Sequence, residues 1–175
     1  MSAKPLSFQD IPRFPHSAYE IDVGFEWLEG HLADAIADGL DIDPPFQRAH
    51  VWTEAQQTAY LEYLLRGGEV SRLIIVNAPA WHDSTYKGST LVDGKQRLEA
   101  IRRFMRSELP VFGGHVLRDI GGHLRLFNGR IKWRVVALAS EAELLDLYLA
   151  INAGGTPHSP EEIAKVRAMR ERLAP

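Results

Sequence analysis

Cysteine is absent from all 175 residues. That excludes disulfide scaffolds, thiolate zinc sites and cysteine nucleophiles together. Long apolar runs are missing as well. No stretch approaches the roughly 18 residues needed to span a bilayer, and Met1 to Pro15 has no apolar core of the signal-peptide kind. A cytoplasmic protein with no membrane partner is therefore expected. His16, His31, His50, His82, His115, His123 and His158 show no H-x-x-x-H spacing, which argues against a histidine metal centre. Positive charge is not in excess either: 20 Lys and Arg stand against 23 Asp and Glu, a net charge of −3. A protein that coats nucleic acid through bulk basicity is thereby disfavoured, while a local basic patch stays open. No serine-centred elbow, Walker lysine loop or dinucleotide fingerprint occurs.

What remains is globular in character, with 45% hydrophobic and 25% charged residues in a length that suits one domain. Pro5, Pro12 and Pro15 mark residues 1–15 as an extended lead-in, and residues 16–175 read as a single domain. Tyr19 to Val23 alternates apolar and acidic side chains like a short strand. Phe25, Leu28, Leu32, Ala35 and Ile36 follow at helical spacing, and Gly39 closes that helix. Pro44 and Pro45 keep Leu40 to Arg48 extended. Thr53 and Gln56 form a capping-box pattern for a helix reaching Arg66, before Gly67-Gly68. The β-branched run Ile74-Ile75-Val76 predicts a buried strand within Arg72 to Asn77, and Thr90 to Val92 predicts another. A helix is expected from about Gln96 to Arg106, with Leu98, Ile101 and Met105 inward.

Asn128-Gly129 predicts a β-hairpin over 124–136. It places Leu124, Leu126, Ile131, Trp133 and Val135 on one face, and Arg125, Arg130, Lys132 and Arg134 on the other. Two helices finish the chain, one capped by Ser140 with Glu143, the other opened by Ser159-Pro160-Glu161-Glu162. The irregular alternation of strands and helices predicts an α+β fold with a mixed sheet flanked by helices.

The turn Asp93-Gly94-Lys95-Gln96-Arg97 concentrates the chemistry. Gly94 lets a ligand approach the backbone, and the first amides of the following helix carry the positive end of its dipole. Lys95 and Arg97 add cations, and Arg97 can grip a phosphate in bidentate fashion. Gln96 can orient a water or a ligand oxygen. Asp93 can hold a divalent cation or fix Arg97. An ordinary strand–turn–helix junction with a solvated Lys and Arg explains the same spacing.

Three segments in order narrow the choice. Pro45-Phe46-Gln47-Arg48-Ala49-His50-Val51-Trp52 precedes a helix. Leu91-Val92-Asp93-Gly94-Lys95-Gln96-Arg97-Leu98 follows about 40 residues later. Leu149-Ala150-Ile151-Asn152-Ala153-Gly154-Gly155-Thr156-Pro157 leads to the last helix. This trio, over roughly residues 40–165, resembles the amino-terminal domain of GmrSD-type modification-dependent restriction enzymes, within the ParB/sulfiredoxin-like superfamily.

The resemblance implies a ParB/sulfiredoxin-like fold and a nucleoside triphosphate held with Mg²⁺. Gln47, Arg48, Gly94, Lys95, Arg97 and Asn152 would contact the nucleotide. Asp93, Gln96 and Arg97 would serve any slow hydrolysis, with Asp93 next to the metal. Lys95 stands where the family usually has glutamine, which favours phosphate binding over turnover. The family's carboxy-terminal HNH nuclease domain has no room before Pro175, so its nuclease activity is not carried over. Related folds often dimerise, which keeps a homodimer open.

An alternative is a non-enzymatic regulatory module that binds DNA or a protein partner, as in a phage or mobile element. Arg125, Arg130, Lys132 and Arg134 would carry the DNA, with Arg102, Arg103 and Arg106 extending the patch. A solvated face balanced by nearby acids explains the same charges. A stand-alone nuclease is the weakest reading, because Asp41, Asp43 and Asp93 are the only carboxylates near the motifs.

Overall fold

The computed structural model describes residues 18–47, 51–69, 72–82, 88–121, 129–152 and 160–173. Five strands form one mixed sheet: β1 (Tyr19–Gly24), β2 (Leu40–Asp41), β3 (Leu73–Asn77), β4 (Ser89–Asp93) and β5 (Arg130–Val136), in the order β1-β5-β3-β4-β2. β1 runs antiparallel to β5, β5 parallel to β3, β3 antiparallel to β4, and β4 parallel to β2. Among the described residues five α-helices accompany it: α1 (Leu28–Ala37), α2 (Glu54–Leu65), α3 (Lys95–Met105), α4 (Glu141–Asn152) and α5 (Pro160–Arg172). The expected α+β class with a mixed sheet and two closing helices is what the chain adopts.

The sheet's pleat sends alternate side chains into two apolar layers. Val23, Ile74, Val76, Leu91, Ile131, Trp133 and Val135 pack with α1, α2 and α3 on one side. On the other, Ile75 and Val92 pack with Phe46, Leu144, Leu145, Tyr148 and Val166 under α4 and α5. Local signals explain the helix ends. Thr53 and Gln56 form the capping box of α2 in both directions. Ser140 and Glu143 exchange the same reciprocal bonds ahead of α4. Gly39, at φ 92°, follows α1. Ile36 is exposed, so the inner stripe of α1 is Leu28, Leu32 and Ala35 instead.

The hairpin expectation needs correction. From Lys132 to Val135 both edges of β5 are taken, by β1 and by β3, so those residues do not pair across Asn128-Gly129. The other limb, including Leu124, Arg125 and Leu126, lies outside the described residues. The predicted alternation along Arg130–Val136 does hold, with Ile131, Trp133 and Val135 buried and Arg130, Lys132 and Arg134 exposed.

Candidate functional site

β4 ends at Asp93 and α3 begins at Lys95, so the whole chemical motif sits at one strand-to-helix junction. Gly94 is the N-cap at φ 103°, a left-handed conformation that disfavours a side chain, and no side chain caps the helix there. A Cβ on Gly94 would overlap Ile74 Cδ1 and lie 3.3 Å from both Ile74 Cα and Leu73 O. The close approach of β3 is by itself enough to require the glycine.

Residues two apart on a helix do not share a face. Lys95 and Arg97 accordingly leave α3 on different sides. Lys95 forms an ion pair with Asp43. It lines a cavity of about 370 Å³ with Ile42, Leu91, Leu98, Glu99 and Arg102. Arg97 turns back to form an ion pair with Asp93, and its side chain is only 17% exposed. Its Nε is buried with no hydrogen-bond partner among the described residues. The two cations do not converge on one point, and each has a carboxylate of its own.

Gln96 is 8% exposed. Its Oε1 accepts the backbone N–H groups of Val51 at 3.0 Å and Trp52 at 3.1 Å. Gln47 Nε2 donates to the Leu91 carbonyl. Asp43, Gln47, Val51 and Trp52 are thus fastened to the β4–α3 junction by one ion pair and three hydrogen bonds. Arg48 and His50, between Gln47 and Val51, lie outside the described residues. The described start of the third segment is adjacent too, with Leu149 and Ile151 packed against the apolar layer that holds Phe46 and Val92. The Phe46 and Tyr148 rings meet at 5.1 Å, and Lys165 Nζ donates to the Pro45 carbonyl at 2.8 Å. Asn152 Nδ2 donates to the Tyr148 carbonyl at 2.7 Å, within its own helix. Gly154, Gly155 and Thr156 lie outside the described residues.

The first two segments thus meet at one turn, and the described start of the third packs beside them. Residues 30–132 match the family model described as the GmrSD restriction endonuclease, N-terminal domain. The chain belongs to this family. The match spans more than half of it and includes the first two segments. No curated protein and no solved structure matches the chain.

Within this GmrSD-family domain the donor set does not make a metal site by itself. Asp93 is engaged by Arg97 and Asp43 by Lys95. Among the described residues no group of three or more His, Asp or Glu side chains gathers around a common point.

Two cations of the basic strand face are neutralised locally. Arg134 pairs with Glu20, and Lys132 with Asp22 at 3.5 Å, both across the β1–β5 register. Arg102, Arg103 and Arg106 pair with Glu29, Glu54, Glu99 and Glu108. Arg125 lies outside the described residues. Opposite alternation in Tyr19–Val23 and Arg130–Val136 was the sequence signal for that strand pairing.

Sequence reasoning passed over Tyr60 and Arg72. Burial raises the Tyr60 phenol well above its ordinary range, and the positive fields of Arg97 and Arg72 offset part of that rise. Both guanidinium groups therefore act on one phenol beside the turn.

Proposed function

We propose that this domain is a nucleotide-binding component of a restriction or defence system. The observation that carries the reading is Arg97. A guanidinium that is mostly buried, steered by Asp93 and left with a buried Nε lacking a partner among the described residues, is poised for an anion. It stands in the first turn of α3, where the helix dipole favours the same charge. The family's name supports the restriction context.

The Gln96 carbonyl oxygen is committed to two backbone N–H groups, so we assign it a holding role and not the placing of an attacking water. Mg²⁺ would arrive bound to the phosphates, because the nearby carboxylates already serve Arg97 and Lys95. Calorimetric titration with ATP, GTP and CTP, each with Mg²⁺, tests the reading. Micromolar binding of at least one, abolished by Arg97→Ala in a protein that still melts cooperatively, is expected. Equal affinity in the variant would refute it.

A further inference from the structure

We propose that the cavity bounded by α2, α3 and β4 is a second ligand site, separate from Arg97, for a small apolar molecule carrying one carboxylate. The proposal goes beyond the nucleotide reading and does not rest on it.

The cavity measures about 370 Å³, within the range of roughly 300–1,000 Å³ over which proteins hold small molecules. Its apolar wall is Ile42, Leu91 and Leu98. Leu91 is fully buried and Leu98 is 4% exposed, so the space reaches down to the core. Its polar wall is one face of α3, where Lys95, Glu99 and Arg102 recur at i, i+4 and i+7, joined by Gln57 and Arg103. Arg97 leaves the helix on another side and does not line the space.

Most of the polar wall is already committed. Gln57 donates from Nε2 to the Trp52 carbonyl at 3.0 Å and accepts Arg103 Nη1 at 2.8 Å. Arg103 Nη2 reaches Glu54 at 3.0 Å. Arg102 grips Glu29 through two nitrogens, at 2.9 and 3.2 Å. Water in such a space meets hydrocarbon on one side and engaged groups on the other, so few bonds hold it. An apolar body gains by displacing it.

Lys95 sets the charge of the ligand. Its ammonium is paired with Asp43, whose side chain is 74% exposed. An ion pair with so exposed a partner contributes little, and Asp43 can return to water when another anion takes its place. The group displaced is a carboxylate, so a carboxylate fits the position. A triphosphate does not, because its remaining oxygens would face Ile42, Leu91 and Leu98. The structure thus assigns the ligand's ring or chain to the hydrocarbon wall and its single anionic group to Lys95.

2-Naphthoate and its neutral analogue 2-naphthamide, titrated into the full chain and followed by NMR, are the probes. 2-Naphthoate should bind saturably and move the methyl signals of Ile42, Leu91 and Leu98, with the amide binding about tenfold more weakly. Lys95→Met should erase that tenfold preference. Asp43→Asn, which removes the competing carboxylate, should bind 2-naphthoate more tightly than the parent. Arg97→Ala should keep the parental affinity for it, and Mg–ATP should not displace it. Absence of saturable shifts at those three residues would overturn the proposal. So would a Lys95→Met protein that still prefers the carboxylate, or displacement by Mg–ATP, which would make the cavity part of the nucleotide site. If 2-naphthoate binds as described while no triphosphate binds at all, the nucleotide reading alone falls.

Discussion

Replacing Gly94 by alanine and replacing Gly30 by alanine are the same chemical change with opposite expected outcomes. Gly94 sits at φ 103°, and an added Cβ would overlap Ile74 Cδ1 and press on the β3 backbone. The left-handed conformation costs an L-residue about 1–2 kcal/mol. Relieving the overlap by shifting Ile74 in a packed core costs about 1–3 kcal/mol more. The sum, about 2–5 kcal/mol, is a large share of the roughly 5–15 kcal/mol that holds a domain together. At about 2–4 °C per kcal/mol for a chain of this size, the melting temperature should fall by roughly 5–20 °C. Gly30 is an exposed position inside α1 with open space around its missing Cβ. Alanine there should add about 0.5–1 kcal/mol and raise the melting temperature by a few degrees. Urea and thermal unfolding of both variants beside the parent decide the matter. A Gly94→Ala protein melting within two or so degrees of the parent would show that the turn relaxes freely, and the packing argument would be wrong.

Other expectations concern the surroundings of the turn. Gln96→Leu strands the Val51 and Trp52 amides and should cost about 2–4 kcal/mol, with both amides exchanging hydrogen far faster than in the parent. A double-mutant cycle on Arg134 and Glu20 should return a coupling of about 0.2–1 kcal/mol that shrinks in salt; a coupling of zero at low salt would deny the cross-strand pair. His31 packs edge-on to Trp133 at 4.7 Å with its Nε2 buried, and burial lowers its pKa despite Asp34. A lowered value means that the unfolded chain takes up the proton first. Its contribution is therefore complete above about pH 6.5 and is lost as pH falls through the lower folded value. His31→Gln should flatten that part of the stability profile, and an unchanged profile would contradict the assignment.

Local signals in this sequence proved readable where the cause was local. The Thr53–Gln56 box, the Ser140–Glu143 pair and the alternation of Arg130–Val136 each involve residues a few positions apart. The strand order was not readable, because β5 lies between β1 and β3 through contacts between residues far apart in sequence. The motif residues were readable as a group, and their sharing of one region follows from the bonds that join Gln47 to Leu91 and Gln96 to Trp52. Their separate geometry was hidden. Nothing in the string D-G-K-Q-R says that Lys95 goes to Asp43 while Arg97 goes to Asp93. Tyr60 and Arg72 were hidden for the same reason, since neither belongs to a motif and only the tertiary fold brings them to it.

The pairing of each motif cation with a carboxylate has a consequence for which solutes such a turn responds to. An anion arriving at Arg97 must compete with Asp93 for the guanidinium, so the encounter is an exchange and not a simple addition. Chloride and other monovalent ions compete poorly against a tethered carboxylate that is already in place. A solute carrying several linked negative charges can displace it at one contact and gain at the next. If the turn binds anions as proposed, the built-in counter-ion would therefore set a threshold of valence for them.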